Sequence, residues 1–257
     1  MTFLRRWLSS GAAARLLSLL LLLACWQVAA SVAARPTLPP PAAVLVFAGH
    51  ELLHGDMAFN IAVTLWRVAA SFVIAMMIGA AIGIAFGRYR RVDAAFDVWL
   101  LVLLNMPALV IAVMCYIWLG LTETAAIAAV ALNKIPNVVV ILREGARSLD
   151  RDLDEMSQVY RFSFRSWSRH VLLPQLAPYF AAAARSGLAL VWKIVLVVEL
   201  LGRPSGVGYA ISLYFQLFDV TGVLAYALTF TIVMLAIEYL LLQPFEAHVR
   251  RWRHAPS

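Results

Sequence analysis

Six long apolar runs alternate with short polar segments along the chain, at roughly 16–34, 57–87, 98–118, 124–142, 175–201 and 222–243. Each is near or above the ~20 residues a helix needs to cross the hydrocarbon core. The runs are continuous and lack the ten-residue alternation of a membrane β-barrel. The pattern predicts an all-α, polytopic membrane protein of six spans. One polar interval stands out, because residues 143–174 form a loop of about thirty positions with six arginines and a regular apolar pattern. Leu149, Leu153, Met156 and Tyr160 recur there at helical spacing, and Phe162, Phe164 and Trp167 follow.

Composition agrees. Of 257 residues, 63% are hydrophobic and 14% charged, against about half and a quarter in soluble domains. The net charge of +7 is explained by its placement. With the N-terminus inside, the inner segments hold Arg5, Arg6, Arg15, Arg88, Arg90, Arg91, Arg143, Arg147, Arg151, Arg161, Arg165, Arg169, Arg250, Arg251 and Arg253. The outer segments hold only Arg35 and Arg203. Positive charge marks the cytoplasmic side, so both termini are expected there. The basicity needs no nucleic-acid partner. The first run resembles a secretory signal but is long for one, and it reads as an uncleaved first helix. Cys25 and Cys115 lie in separate spans and form neither a disulfide framework nor a metal site.

Three segments follow: 1–56, a first helix with an outer proline-rich connector (Arg35-Pro-Thr-Leu-Pro-Pro-Pro41); 57–243, a core carrying the loop 143–174; and 244–257, a basic cytoplasmic tail. The connector reads as stiff and extended. In the second run Gly79, Gly83 and Gly87, with Ala75 one turn earlier, form a small-residue ladder for close helix approach, either within the chain or between copies. Pro107, after Asn105 and Met106, is expected to bend the third span toward protein or a water-filled path. Lys134, beside Asn133, Pro136 and Asn137, is costly at that depth and should face the bundle interior or a cavity. It either pairs with a backbone carbonyl or serves a path. In the fifth span Arg185, Trp192 and Glu199 share one face, with Lys193 adjacent. Arg185 and Glu199 are ~21 Å apart along the helix, so each needs another partner. Asn105, Pro107, Lys134, Arg185, Trp192, Lys193 and Glu199 are the candidate path residues. The following Gly202-Arg203-Pro204-Ser205-Gly206-Val207-Gly208-Tyr209 lacks the lysine and Ser/Thr of a phosphate loop. Residues 211–219 are amphipathic and expected at the outer surface or re-entering.

Residues 155–174, EMSQVYRFSFRSWSRHVLLP, resemble the "EAA" loop of permease subunits of bacterial binding-protein-dependent ABC importers. Glu155-Met156-Ser157 stands at the first triplet and Leu173-Pro174 at the end. Arg161 replaces a glycine, at a turn whose left-handed backbone favours glycine. Residues 60–253 are similar to the nitrate/sulfonate/taurine group. The ordered set is Thr64-Leu65-Trp66-Arg67, Ser71-Phe72, Gly79, Gly83, Gly87-Arg88, Asp93, Phe96-Asp97, Pro107, Trp118 with Gly120, Arg185, Trp192, Glu199, Gly206-Val207-Gly208-Tyr209 and Trp252-Arg253.

The resemblance implies a MetI-like type I importer permease in the bacterial inner membrane. It implies two permease subunits, expected to be a homodimer, around one path, and a solute-binding protein delivering substrate outside. A separate pair of ATPase subunits would bind the ATP and magnesium, since this chain has no Walker A motif and is not itself an enzyme. Glu155, Met156, Ser157, Tyr160, Arg161, Phe162, Ser163, Trp167, Leu173 and Pro174 are the implied ATPase-coupling residues. Small anions such as nitrate, sulfonates or taurine are the implied substrates. On physical grounds alone the loop suits either protein docking or the lipid surface. An intramembrane enzyme is disfavoured by the lack of H-E-x-x-H, facing aspartates or G-x-S-x-G. His50 and His54 lack a third ligand. An ATPase-independent secondary transporter or a membrane anchor is the remaining alternative, without the inverted repeats expected of the former.

Overall fold

A computed structural model describes residues 11–33, 35 and 37–242. The chain is helical along nearly all of this length. The elements are α1 (Gly11–Ala33), α2 (Pro41–His54), α3 (Met57–Arg88), α4 (Arg90–Asn105), α5 (Ala108–Leu119), α6 (Glu123–Arg147), α7 (Arg151–Val159), α8 (Phe164–Trp167), α9 (Leu173–Gly202), α10 (Val207–Gln216) and α11 (Val220–Ile237). A π-helical turn, Ser168–Leu172, joins α8 to α9, so one helix runs through 39 residues, Phe164–Gly202. The basic tail 244–257 lies outside the described residues.

Among the described residues, α3, α6, Phe164–Gly202 and Val220–Leu240 are long and apolar enough to span a membrane. The pair α4 and α5 brings the number to five if it counts as one span. That pair differs from the bend expected at Pro107. Met106 is extended (ψ 126°), as the residue before a proline prefers, and the helix breaks there with a 98° turn. The connector also differs: Pro41 opens α2 rather than continuing an extended run, because the first helical position needs no N–H donor. Residues 211–216 of the 211–219 segment belong to α10; beyond its end Phe218 is left-handed (φ 57°) and Asp219 caps α11.

α3 and α6 run parallel and form the centre. A Cβ built on Gly79 would lie 2.6 Å from the Val138 Cβ, and one on Gly83 2.7 Å from the Val139 carbonyl oxygen. The glycine ladder therefore serves packing inside the chain. α9 crosses both helices, burying Val191, Val195 and Val198 against Val68, Ala126 and Val130. α10 and α11 close a second cluster around Met57, Tyr226 and Phe230. Side chains also cap the helices: Thr122 accepts from the Ala125 N–H, and Asp219 from those of Thr221 and Gly222.

Candidate transport path and coupling surface

The loop after α6 sits at one end of the bundle and is tied down before it is displayed. Arg143 bonds Asp93 at 3.1 Å and Asp97 at 2.8 Å, and Arg147 also pairs with Asp93, fixing the end of α6 to α4. Asp150 caps α7 by accepting from the Asp152 N–H at 2.9 Å. The end of α7 is a Schellman motif. The Phe162 N–H bonds the Ser157 carbonyl at 2.9 Å and the Arg161 N–H bonds that of Gln158 at 3.0 Å. Arg161 holds the left-handed position (φ 51°) that favours glycine. Replacement of glycine by arginine thus leaves the turn geometry intact and places a cation on it.

Ser157 is buried, its hydroxyl donating to the Asp154 carbonyl at 2.6 Å. Ser163 caps α8. Trp167 donates its indole N–H to Asp154 at 2.8 Å, while the Arg88 guanidinium lies over its ring at 4.6 Å. These bonds clamp α7 and α8 together and onto the end of α3. Other side chains of the loop are displayed, Phe164 while its ring also touches that of Trp167, with centres 5.9 Å apart. Tyr160 is 72% exposed and Phe164 81%, and Glu155, Met156 and Phe162 are also exposed. Leu173 and Pro174 begin α9. Proline has no N–H to donate, and the π-helical turn before it absorbs the irregularity without interrupting the helix.

At the opposite end of the bundle, α3, α6, α9 and the glycine-rich turn meet in a buried ionic lattice. Arg67 bonds Glu199 at 2.7 Å and Glu123 at 2.7 Å, and donates to the Ser205 carbonyl at 2.7 Å. The Glu199 carboxylate also accepts from the Thr64 hydroxyl at 2.9 Å and from the Gly208 N–H at 2.8 Å. Thr64 in turn accepts from the Val207 N–H, and Asn60 from the Gly206 N–H, each at 2.8 Å. Arg203 adds a bond to Glu123 at 2.8 Å. Glu199 and Arg67 are 0% and 2% exposed. Every strong donor around Glu199 is matched, which buried charge in an apolar bundle requires. Gly206 has φ 109°, and a Cβ there would overlap the Glu199 carboxylate. The glycines are the condition for the turn to close over this acid.

The path candidates are dispersed. Glu199 belongs to the lattice, and its partner is Arg67, which is not among the path candidates. An arginine well inside an apolar run was the available signal. Arg185 and Trp192 line a small cavity of about 60 Å³ with Glu238. Trp192 packs edge-on against Phe230, and Lys193 lies 5.6 Å from the Trp192 ring centre. Lys134 is 1% exposed and its Nζ has no hydrogen-bond partner among the described residues. Its stem passes Gly187, where a Cβ would fall 2.5 Å from Lys134 Cε. Asn105 is exposed at the α4–α5 break, bonded to the Leu101 carbonyl at 2.8 Å, with Pro107 just beyond. Among the described residues no group of three or more His, Cys, Asp or Glu side chains gathers as metal ligands.

Comparison with known proteins places this architecture. A Bacillus subtilis permease named for aliphatic sulfonates transport is 28% identical over 212 residues, 82% of this chain and 77% of that one. The nitrate import permease protein NrtB of Synechococcus elongatus is 23% identical over 206 residues, 76% and 74% of the two chains. The bicarbonate transport system permease protein CmpB of the same species is 25% identical over 190 residues, 74% and 66% of the two. A crystal structure of an amino acid ABC transporter shares the fold, with a TM-score of 0.59 at 18% identity over 75% of this chain and 93% of that one. The family described as the binding-protein-dependent transport system inner membrane component matches residues 71–254, and the chain belongs to it.

Proposed function

We propose that this chain is the permease subunit of an ABC importer for a small oxyanion. Two copies would form the path, and a pair of separate ATPase subunits would supply ATP hydrolysis. The observation that carries the reading is the coupling loop: α7 and α8 are clamped to α3 through Asp154, Trp167 and Arg88, while Tyr160 and Phe164 remain exposed. A large aromatic pair on a rigid support suits insertion into a partner's groove. A lipid-surface helix would not need that clamp.

The proposed arrangement has six spans, with α1 the first, both termini in the cytoplasm and the loop facing it across the bacterial inner membrane. The arginine placement supports this orientation. The Arg67–Glu199 lattice then lies at the outer end, where a solute-binding protein would dock. A push on α8 would reach Glu199 along the 39-residue helix, through the π-helical turn and past Pro178. Lys134 supplies positive charge within the bundle, and sulfonate, nitrate and bicarbonate, named for the relatives, are the class of solute such charge suits.

The test is uptake into proteoliposomes holding this chain, its ATPase and its solute-binding protein, with labelled sulfonate, nitrate and bicarbonate offered separately. Accumulation of one anion that needs both ATP and the binding protein is expected. Uptake that persists without ATP would support an ATPase-independent transporter instead.

A further inference from the structure

Beside the coupling loop, and distinct from its aromatic face, lies an open cavity of about 610 Å³ between the ends of α3 and α6 and the starts of α4 and α7. Four arginines line it: Arg88, Arg90, Arg147 and Arg151. Two acids line it as well, and both are engaged. Asp150 caps α7, and Asp154 holds the Trp167 indole and Arg88. Arg147 is held by Asp93 and Glu144. Arg90 and Arg151 are exposed and, among the described residues, have no ion-pair partner. Two guanidinium groups on different helices thus face one polar cavity whose lining carries four arginines against two aspartates.

The cavity stands where the apolar length of α3 ends and the polar loop begins, which is headgroup depth in the orientation proposed above, and the inference rests on that orientation. Guanidinium groups match phosphate oxygens in pairs, and basic pockets between helix ends at the cytoplasmic leaflet recognise anionic headgroups. We propose that this cavity binds a phosphate-bearing anion, held between Arg90 and Arg151, with the headgroup of an anionic phospholipid as its source. Bound phosphate would join α4 to α7, so the lipid would brace the coupling loop against the helix that precedes the α4–α5 break.

The experiment uses the full chain purified in detergent, with native mass spectrometry of retained lipid after exposure to phosphatidylglycerol or phosphatidylcholine. Arg90→Gln/Arg151→Gln is compared with Arg35→Gln, a control outside this cavity. Preferential retention of phosphatidylglycerol is expected, falling roughly tenfold or more in the double variant and unchanged in the control. Competition by millimolar glycerol phosphate would assign the site to phosphate from either source; failure to compete would assign it to the lipid. Equal retention of the two lipids, or no change in the double variant, would overturn the proposal. So would loss of ATPase capture by the double variant with lipid retention intact, which would make the cavity part of the protein interface. Neither lipid result depends on transport, so failure here and failure of the importer reading are separable.

Discussion

Arg67 and Glu199 stand 132 positions apart in sequence and 2.7 Å apart in space, both buried, in the middle of a lattice that joins α3, α6, α9 and the glycine-rich turn. Removing one partner of such a pair leaves the other charged and desolvated. Glu199→Ala should destabilise the fold by about 3–5 kcal/mol. Glu123→Ala should cost clearly less, because its side chain is 38% exposed and water replaces it. Thermal unfolding in detergent of both variants checks the order. Equal losses would contradict the reading of Glu199 as the keystone.

The α3–α6 contact makes a second prediction. Gly83→Val should cost about 3 kcal/mol, because the added atoms meet the Val139 backbone carbonyl, which cannot move aside alone. Gly49→Ala meets nothing within 4 Å and should stabilise α2 by about 0.5–1 kcal/mol. Folded yield and unfolding midpoint of the two variants give the comparison.

Lys134 presents a different balance. Its amino group is buried with no hydrogen-bond partner among the described residues, so Lys134→Met should raise stability by about 1–3 kcal/mol. The same change should abolish ATP-dependent anion uptake if the charge meets solute in the path, as proposed. A destabilised variant would mean that Lys134 has a structural partner.

At the coupling turn, Arg161→Gly should relieve about 1 kcal/mol of left-handed backbone strain while leaving the Schellman bonds in place. Slower exchange of the Phe162 amide, whose N–H closes that motif, is the expected readout. Faster exchange would show that the arginine side chain supports the turn.

Much of this architecture was legible in the chain, for identifiable reasons. Apolar run length located α3, α6, α9 and α11 within a few residues, because lipid-facing and buried positions alike must be apolar. Of the helically spaced Leu149, Leu153, Met156 and Tyr160, Leu153 and Met156 fall in α7, while Leu149 precedes its cap and Tyr160 ends it. Pro107 announced an irregularity, but the size of the break depended on the extended backbone of Met106, which spacing cannot express. The lattice was hidden for a different reason. Arg67, Thr64, Glu123 and Glu199 meet only after three helices assemble, and no local pattern couples them. Glu199 therefore read as a path residue in search of a partner. The Trp167–Asp154 clamp was likewise invisible, since an exposed aromatic run says nothing about which member turns inward.

The most direct test of the central claim is capture of the ATPase by the coupling surface. Tyr160→Ser/Phe164→Ser removes two exposed side chains that make no hydrogen bond in the clamp; Phe164 touches the Trp167 ring at 5.9 Å, but the Trp167–Asp154 bond and the Arg88 contact remain to hold α8, so the permease should insert and fold as before. The wild-type chain should co-purify with its ATPase, and the double variant should lose it by roughly a hundredfold in affinity. Undiminished capture by a folded double variant would contradict the account.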